Sequence, residues 1–171
     1  MPEADIDHLY DYDPAFIADI LRSVKPIAMV GASENWNRPS YFAMKYLQQK
    51  GYRVVPVNPG NAGNEIHGET CYAGLVDVPA PFEMVDIFRR PEDASGIVDE
   101  AISLKDDKGI RVIWMQIGVI DEDAAARAEA AGLRVIMDRC PKIEFGRLNH
   151  ELSWSGINSG VISSKRPRLI R

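Results

Sequence analysis

Five short apolar runs punctuate the chain, and the stretches between them carry their apolar residues at helical spacing. The first run, Ile27-Ala28-Met29-Val30, ends at Gly31, and the second, Val54-Val55-Pro56-Val57, leads into Asn58-Pro59. The third is Met84-Val85-Asp86-Ile87-Phe88, the fourth Val112-Ile113-Trp114-Met115-Gln116-Ile117 and the fifth Leu133-Arg134-Val135-Ile136-Met137. Runs of this length, bounded by turn residues, suit strands buried on both faces. Between the first two, residues 40–50 read as a helix closed by Gly51, where the end of a helix favours glycine. After the third run Pro91 opens a helix with Glu92 and Asp93 in its first turn and Ala94, Ile97, Val98, Ala101 and Leu104 on one face. A further helix spans 121–131 and stops at Gly132. Ahead of the first strand, Asp13-Pro14 followed by Ile17, Ile20, Leu21 and Val24 predicts an N-terminal helix packed on the outside. Residues 60–68, rich in Gly and Asn, read as a long loop. Regular alternation of strand and helix predicts an α/β fold, a doubly wound five-stranded parallel sheet with helices on both faces.

At 171 residues the chain has the length of one domain, and its 46% hydrophobic content suffices for one sizeable core. Set against 25 acidic residues, 20 basic ones leave a formal charge of −5, so no general field attracts nucleic acid or anionic lipid and neither is expected as a partner. The longest apolar stretch, 112–120, is interrupted by Gln116 and Gly118, and the first residues are acidic, so neither a membrane span nor a signal peptide is read. Cys71 and Cys140 are too few for a disulfide framework, which points to a cytoplasmic protein. His8, His67 and His150 lack any ligand spacing, and no metal site is expected.

In open α/β sheets ligands sit beyond the carboxyl ends of the strands, where the strand order reverses, which makes the loop after the first strand the first suspect. Gly31 lets the backbone turn tightly, Ser33 and Ser40 carry hydroxyl donors, and Arg38 offers a guanidinium fork beside a helix N-terminus, a set suited to phosphate. An ordinary surface turn capped at Ser40 is the alternative. The dinucleotide fingerprint G-x-G-x-x-G falls on Gly31, Ser33 and Trp36, so only its first glycine is present. The acidic residue that would bind a ribose at the end of the second strand is replaced by Asn58-Pro59. Phe88-Arg89-Arg90-Pro91 sets two guanidiniums at the end of the third strand, to face the crevice or to pair with Glu92 and Asp93. Asp121-Glu122-Asp123 would repel phosphate, so the helix they open is expected to cap itself.

Taken together, Gly31-Ala32-Ser33, Asn37-Arg38-Pro39-Ser40-Tyr41, Val57-Asn58-Pro59, Phe88-Arg89-Arg90-Pro91, Trp114-Met115-Gln116-Ile117-Gly118 and Met137-Asp138-Arg139-Cys140 resemble the stand-alone bacterial CoA-binding domain proteins. These are similar to the N-terminal domain of the succinyl-CoA synthetase alpha subunit. The resemblance covers 26–148, leaving 1–25 as an N-terminal helical extension and 149–171 as a tail with a basic end. It implies a Rossmann-like fold binding coenzyme A or an acyl-CoA. The loop 31–41 would surround the phosphates, Asn58-Pro59 would lie near the nucleotide, Phe88, Arg89, Arg90 and Pro91 near the adenine end, and Ile117-Gly118 along the pantetheine arm. The phosphohistidine and the second domain of the synthetase have no counterpart here.

No complete catalytic constellation is read. Ser33 lacks the G-x-S-x-G elbow, and His67 is read as an exposed turn residue. Cys140, flanked by Arg139 and Lys142, is either a thiol activated by positive neighbours, able to form a mixed disulfide with CoA, or a small buried residue. Trp114 reads as core, whereas Trp36 is open between core and ligand contact. The leading expectation is a non-catalytic CoA-binding protein whose protein partner is unknown. A small NAD(P)-dependent oxidoreductase, a subunit of an acyl-CoA ligase-like enzyme and a CoA-linked redox sensor through Cys140 remain as alternatives.

Overall fold

The computed structural model describes residues 12–149. The basic end of the tail, the acidic first residues, His8, His150 and Trp154 lie outside the described residues. Helix α1 (Pro14–Ser23) precedes strand β1 (Pro26–Val30), and α2 (Pro39–Gln49) and β2 (Arg53–Val57) follow. A short hairpin, β3 (Glu65–Ile66) with β4 (Glu69–Thr70), leads to β5 (Met84–Ile87), α3 (Pro91–Lys108) and β6 (Val112–Met115). The described chain closes with α4 (Glu122–Ala130), β7 (Arg134–Ile136) and α5 (Pro141–Leu148). The five runs read from the sequence are β1, β2, β5, β6 and β7, and they form one parallel sheet in the order β2-β1-β5-β6-β7. The chain steps from β1 outward to β2, then returns past β1 to β5, so the order reverses between β1 and β5. This is the doubly wound, Rossmann-like α/β architecture.

Strand alternation divides the sheet's side chains between two apolar layers, which is why the runs read as continuously hydrophobic. Ala28, Val30, Val55, Val57, Val85, Ile87, Ile113, Met115 and Val135 pack against the small residues of α3 and α4, among them Ala94, Ala101, Ala124 and Ala128. On the other face Ile27, Met29, Val54, Met84, Val112, Trp114 and Ile136 meet Ile17, Ile20 and Leu21 of α1 and Ala43, Met44 and Leu47 of α2. Asp13 caps α1, its side chain accepting from the Ala15 N–H at 2.8 Å. The helix is then pinned to the domain from two sides: Arg134 pairs with Asp19 at 2.5 Å, and the Tyr52 hydroxyl donates to the Leu21 carbonyl.

Two elements depart from the sequence reading. The segment 60–68 is not one open loop, because His67 (φ 49°) and Gly68 (φ 82°) make a two-residue turn that closes the β3–β4 hairpin. Positive φ at both turn positions follows the twist of paired strands, but histidine in place of asparagine or aspartate hides the signal. Helix α5, unanticipated, packs beside α1 and α2, and only eight residues long it shows less than three turns of periodicity. Among the described residues no helix is long and apolar enough to cross a membrane.

Candidate functional site

The site begins where β1 ends. Gly31 sits at φ +88°, donates its N–H to the Val57 carbonyl at 2.8 Å, and so ties the loop after β1 to the end of β2. A Cβ at this position would run into the Phe88 carbonyl oxygen and lie 2.8 Å from Cδ of Arg89. Only glycine permits both the left-handed turn and the close passage of the loops after β1 and β5. Beyond Gly31 the loop is organised by its own polar side chains. The Ser33 N–H donates to Oγ of Ser40 at 3.1 Å, and Oγ of Ser33 accepts from the Asn35 N–H at 3.0 Å. Both hydroxyls thereby keep their own protons to donate. Arg38 stands at the N-cap of α2 with no side-chain capping bond, and it has no ion-pair partner among the described residues.

Gly31, Ser33, Arg38, Pro39, Ser40, Asn58, Phe88 and Arg89 line one cavity of about 410 Å³. Eight residues singled out from the sequence thus converge on one polar hollow at the point of strand reversal, facing the positive end of the α2 dipole. Asn58 contributes differently from expectation. Its Nδ2 donates to the Ala32 carbonyl at 2.9 Å and its Oδ1 accepts from the Gly60 N–H at 3.0 Å, so it staples the β1 and β2 loops together as it lines the hollow. Arg89 and Arg90 both pair with Asp93, at 3.5 and 3.2 Å, and Arg90 also with Glu92 at 3.5 Å. These are exposed pairs, weakened by solvent and readily exchanged for a phosphate.

A second cavity of about 210 Å³ shares Gly31 and Arg89 with the first, and its character is different. Val30, Val57, Pro59, Leu75 and Ile97 form its apolar walls, and Asp93 and Glu100 stand at its polar edge. Of these the sequence reading singled out Pro59 for the site and placed Ile97 in the core. Asp93, Ile97 and Glu100 lie at i, i+4 and i+7 on α3, a spacing that puts them on one face and could have been recognised. Ala73, Gly74 and Leu75 come from an irregular segment and left no such trace.

The remaining predicted residues line neither cavity. Ala32 is buried behind the loop, Asn37, Arg90 and Pro91 are exposed, and Ile117 is half-buried. Gly118 turns at φ +84° and donates its N–H to Oδ1 of Asp138 at 2.7 Å. The Tyr41 and His67 rings pack at a tilt, and His67 Nε2 lies 2.9 Å from the Tyr41 carbonyl oxygen, so His67 is a half-buried turn residue held by α2 rather than an exposed one. Trp36 is 70% exposed at the loop tip, while Trp114 is fully buried and donates to the Arg139 carbonyl at 2.8 Å. The α4 N-terminus is capped by Asp121, which accepts from the Ala124 N–H at 2.9 Å.

Cys140 corrects the idea of an activated thiol. It is buried at the start of α5, and desolvation pushes its thiol up to about 12, with the neighbouring Asp86 carboxyl acting in the same direction. The N–H groups of Ile143 and Lys142, and the Lys142 charge, oppose this without overcoming it. Arg139 turns its guanidinium over the Tyr12 ring instead. Burial also raises Cys71. Asp86, fully buried in β5, has neither carboxylate oxygen hydrogen-bonded, and desolvation holds its carboxyl far above the usual range. Among the described residues no group of three or more His, Cys, Asp or Glu is placed to hold a metal.

Known proteins agree with this architecture. A family model described as "CoA binding domain" matches residues 25–146. A Bacillus subtilis (strain 168) relative, "Uncharacterized protein YneT", is 34% identical over 129 residues, which cover 75% of this chain and 91% of the relative. A "hypothetical protein" from Pyrococcus horikoshii OT3 is 36% identical with a TM-score of 0.75, covering 87% of this chain and 99% of that one. A Thermus thermophilus structure, cell-free ID.343, is 32% identical with a TM-score of 0.74, covering 80% of this chain and 99% of its own.

Proposed function

The chain belongs to the CoA-binding domain family, and from that premise we propose that it is a binding protein for coenzyme A or an acyl-CoA without chemistry of its own. One observation carries the reading: the polar and apolar cavities share Gly31 and Arg89, so a single ligand with a charged centre and an aromatic end can span both. The diphosphate belongs in the polar hollow, where the Ser33 and Ser40 hydroxyls and the Arg38 and Arg89 guanidiniums supply donors and positive charge. The adenine belongs between Val30, Val57, Leu75 and Ile97. From the shared wall Arg89, with Arg90 beside it, is within reach of the 3′-phosphate that distinguishes CoA from most nucleotides. The pantetheine arm then leaves the hollow on the other side, in the direction of Ile117 and Gly118.

An enzyme would need a nucleophile, a base and an orienting group around the reacting atom. The two cavities bring together hydroxyls, guanidiniums, an amide and, at the edge of the apolar slot, the carboxylates of Asp93 and Glu100, a set of donors and acceptors that supports binding, and the buried Cys140 stays a thiol at neutral pH. Thermal unfolding in the presence of CoA, dephospho-CoA, NAD and NADP tests it. CoA is expected to raise the midpoint most and dephospho-CoA less, since at equal free concentration L a ligand stabilises the folded state by RT ln(1 + L/Kd), which grows with its affinity. Equal or greater stabilisation by NAD would refute the proposal.

A further inference from the structure

The apolar cavity has one feature that shape alone does not require. Its walls are aliphatic, but Glu100 reaches its edge from α3, and the carboxylate has no hydrogen-bond or ion-pair partner among the described residues. The other acid on the lining, Asp93, is already held by Arg89 and Arg90. Glu100 Oε1 lies 3.7 Å from the place that a Cβ on Gly74 would occupy, so the carboxylate leans over the backbone of the 73–75 segment that forms the opposite wall. An acceptor-only group with no donor to satisfy, at the rim of an apolar slot, selects a flat ligand that presents an N–H to it.

Building on the CoA reading, we infer that Glu100 selects the base, accepting a hydrogen bond from the exocyclic amino group of adenine and rejecting a base that carries an oxygen at that position. Adenine offers an N–H₂ at its 6-position, whereas hypoxanthine offers a carbonyl oxygen, which would face the carboxylate acceptor to acceptor. A site built to hydrogen-bond one group discriminates strongly against an analogue that leaves it unpaired. Glu100 is thus a specificity residue, separate from the diphosphate-binding loop.

Titration calorimetry with CoA and with its 6-oxo counterpart, in which hypoxanthine replaces adenine, tests the inference on the native chain and on Glu100→Gln. A hydrogen bond to a charged group predicts that the native protein prefers CoA by roughly ten- to a hundredfold. The glutamine side chain has the same shape and can either accept or donate, so Glu100→Gln is expected to weaken CoA several-fold, to strengthen the oxo ligand and to bring the ratio near one. Tight CoA binding with a native ratio near one, or with a ratio unchanged by Glu100→Gln, would overturn the role of Glu100 and leave the CoA reading standing. Failure of native protein to bind either ligand would overturn both.

Discussion

Asp86 is the residue whose environment has the clearest consequence. A carboxyl buried in the central strand without a hydrogen-bond partner stays protonated in the folded chain, while in the unfolded chain it ionises near the ordinary value of about 3.9. The folded state therefore binds the extra proton. Its contribution is fully present below the unfolded pKa and is lost as pH rises from there up through the folded pKa. The slope in that window is about 1.4 kcal/mol per pH unit, and Asp86→Asn, which carries no proton to lose, removes it. Urea unfolding of both proteins at steps from about pH 4 upward should show the native chain losing stability relative to the variant as pH rises past the unfolded value. A difference that does not change with pH would mean that Asp86 ionises in the fold. Arg38 belongs to the same scale. Its unpaired guanidinium beside the α2 N-terminus is assigned to the diphosphate, and losing one charge-assisted hydrogen bond of about 1.5–3 kcal/mol should weaken CoA roughly ten- to a hundredfold in Arg38→Ala. Because Arg38 is exposed and makes no ion pair among the described residues, the melting temperature without ligand should stay unchanged.

Among the elements, the strands were legible because burial on both faces leaves an unmistakable apolar run, as in Val112–Met115. Helices with a proline in the first turn and a glycine stop, such as Pro39–Gln49 before Gly51, were legible for the same kind of local reason. Helix α5 was not, since Pro141–Leu148 mixes Lys142, Glu144 and Arg147 with its apolar positions, and its burial arises from neighbours distant in sequence. Glu144 is buried and pairs with Arg147 at 2.6 Å, a contact that offsets the cost of removing its charge from water. Likewise, the residues that line the polar hollow could be picked out as a glycine, hydroxyls and cations at strand ends, whereas the apolar slot depends on where residues 73–75 meet α3. Of the two readings open for Cys140, the structure favours the small buried residue, since charged neighbours in sequence need not face a side chain that points into the core. Helix α1 lies before the family match, yet it buries Ile17, Ile20 and Leu21 against the sheet layer. Ile20→Ala should therefore cost about 2–5 kcal/mol in denaturant unfolding, the range for a buried aliphatic truncation. A cost below about 1 kcal/mol would show that α1 is only loosely attached.

At the scale of the whole molecule, one reversal of strand order decides where a ligand goes. The chain carries a net charge of −5, yet the loops that meet at the reversal bring Arg38, Arg89 and Arg90 together at the carboxyl edge of the sheet. A local cluster of this kind attracts an anion that the overall field would repel. Gly31 makes the convergence sterically feasible, the Asn58 amide fixes the two loops relative to each other, and the aliphatic slot beside them gives an aromatic end somewhere to go. The most direct test is a crystal structure of the protein with coenzyme A. The account predicts the diphosphate between Ser33, Ser40, Arg38 and Arg89, with the adenine in the slot walled by Val57, Leu75 and Ile97. Density for the diphosphate anywhere else, with both cavities empty of ligand, would contradict it.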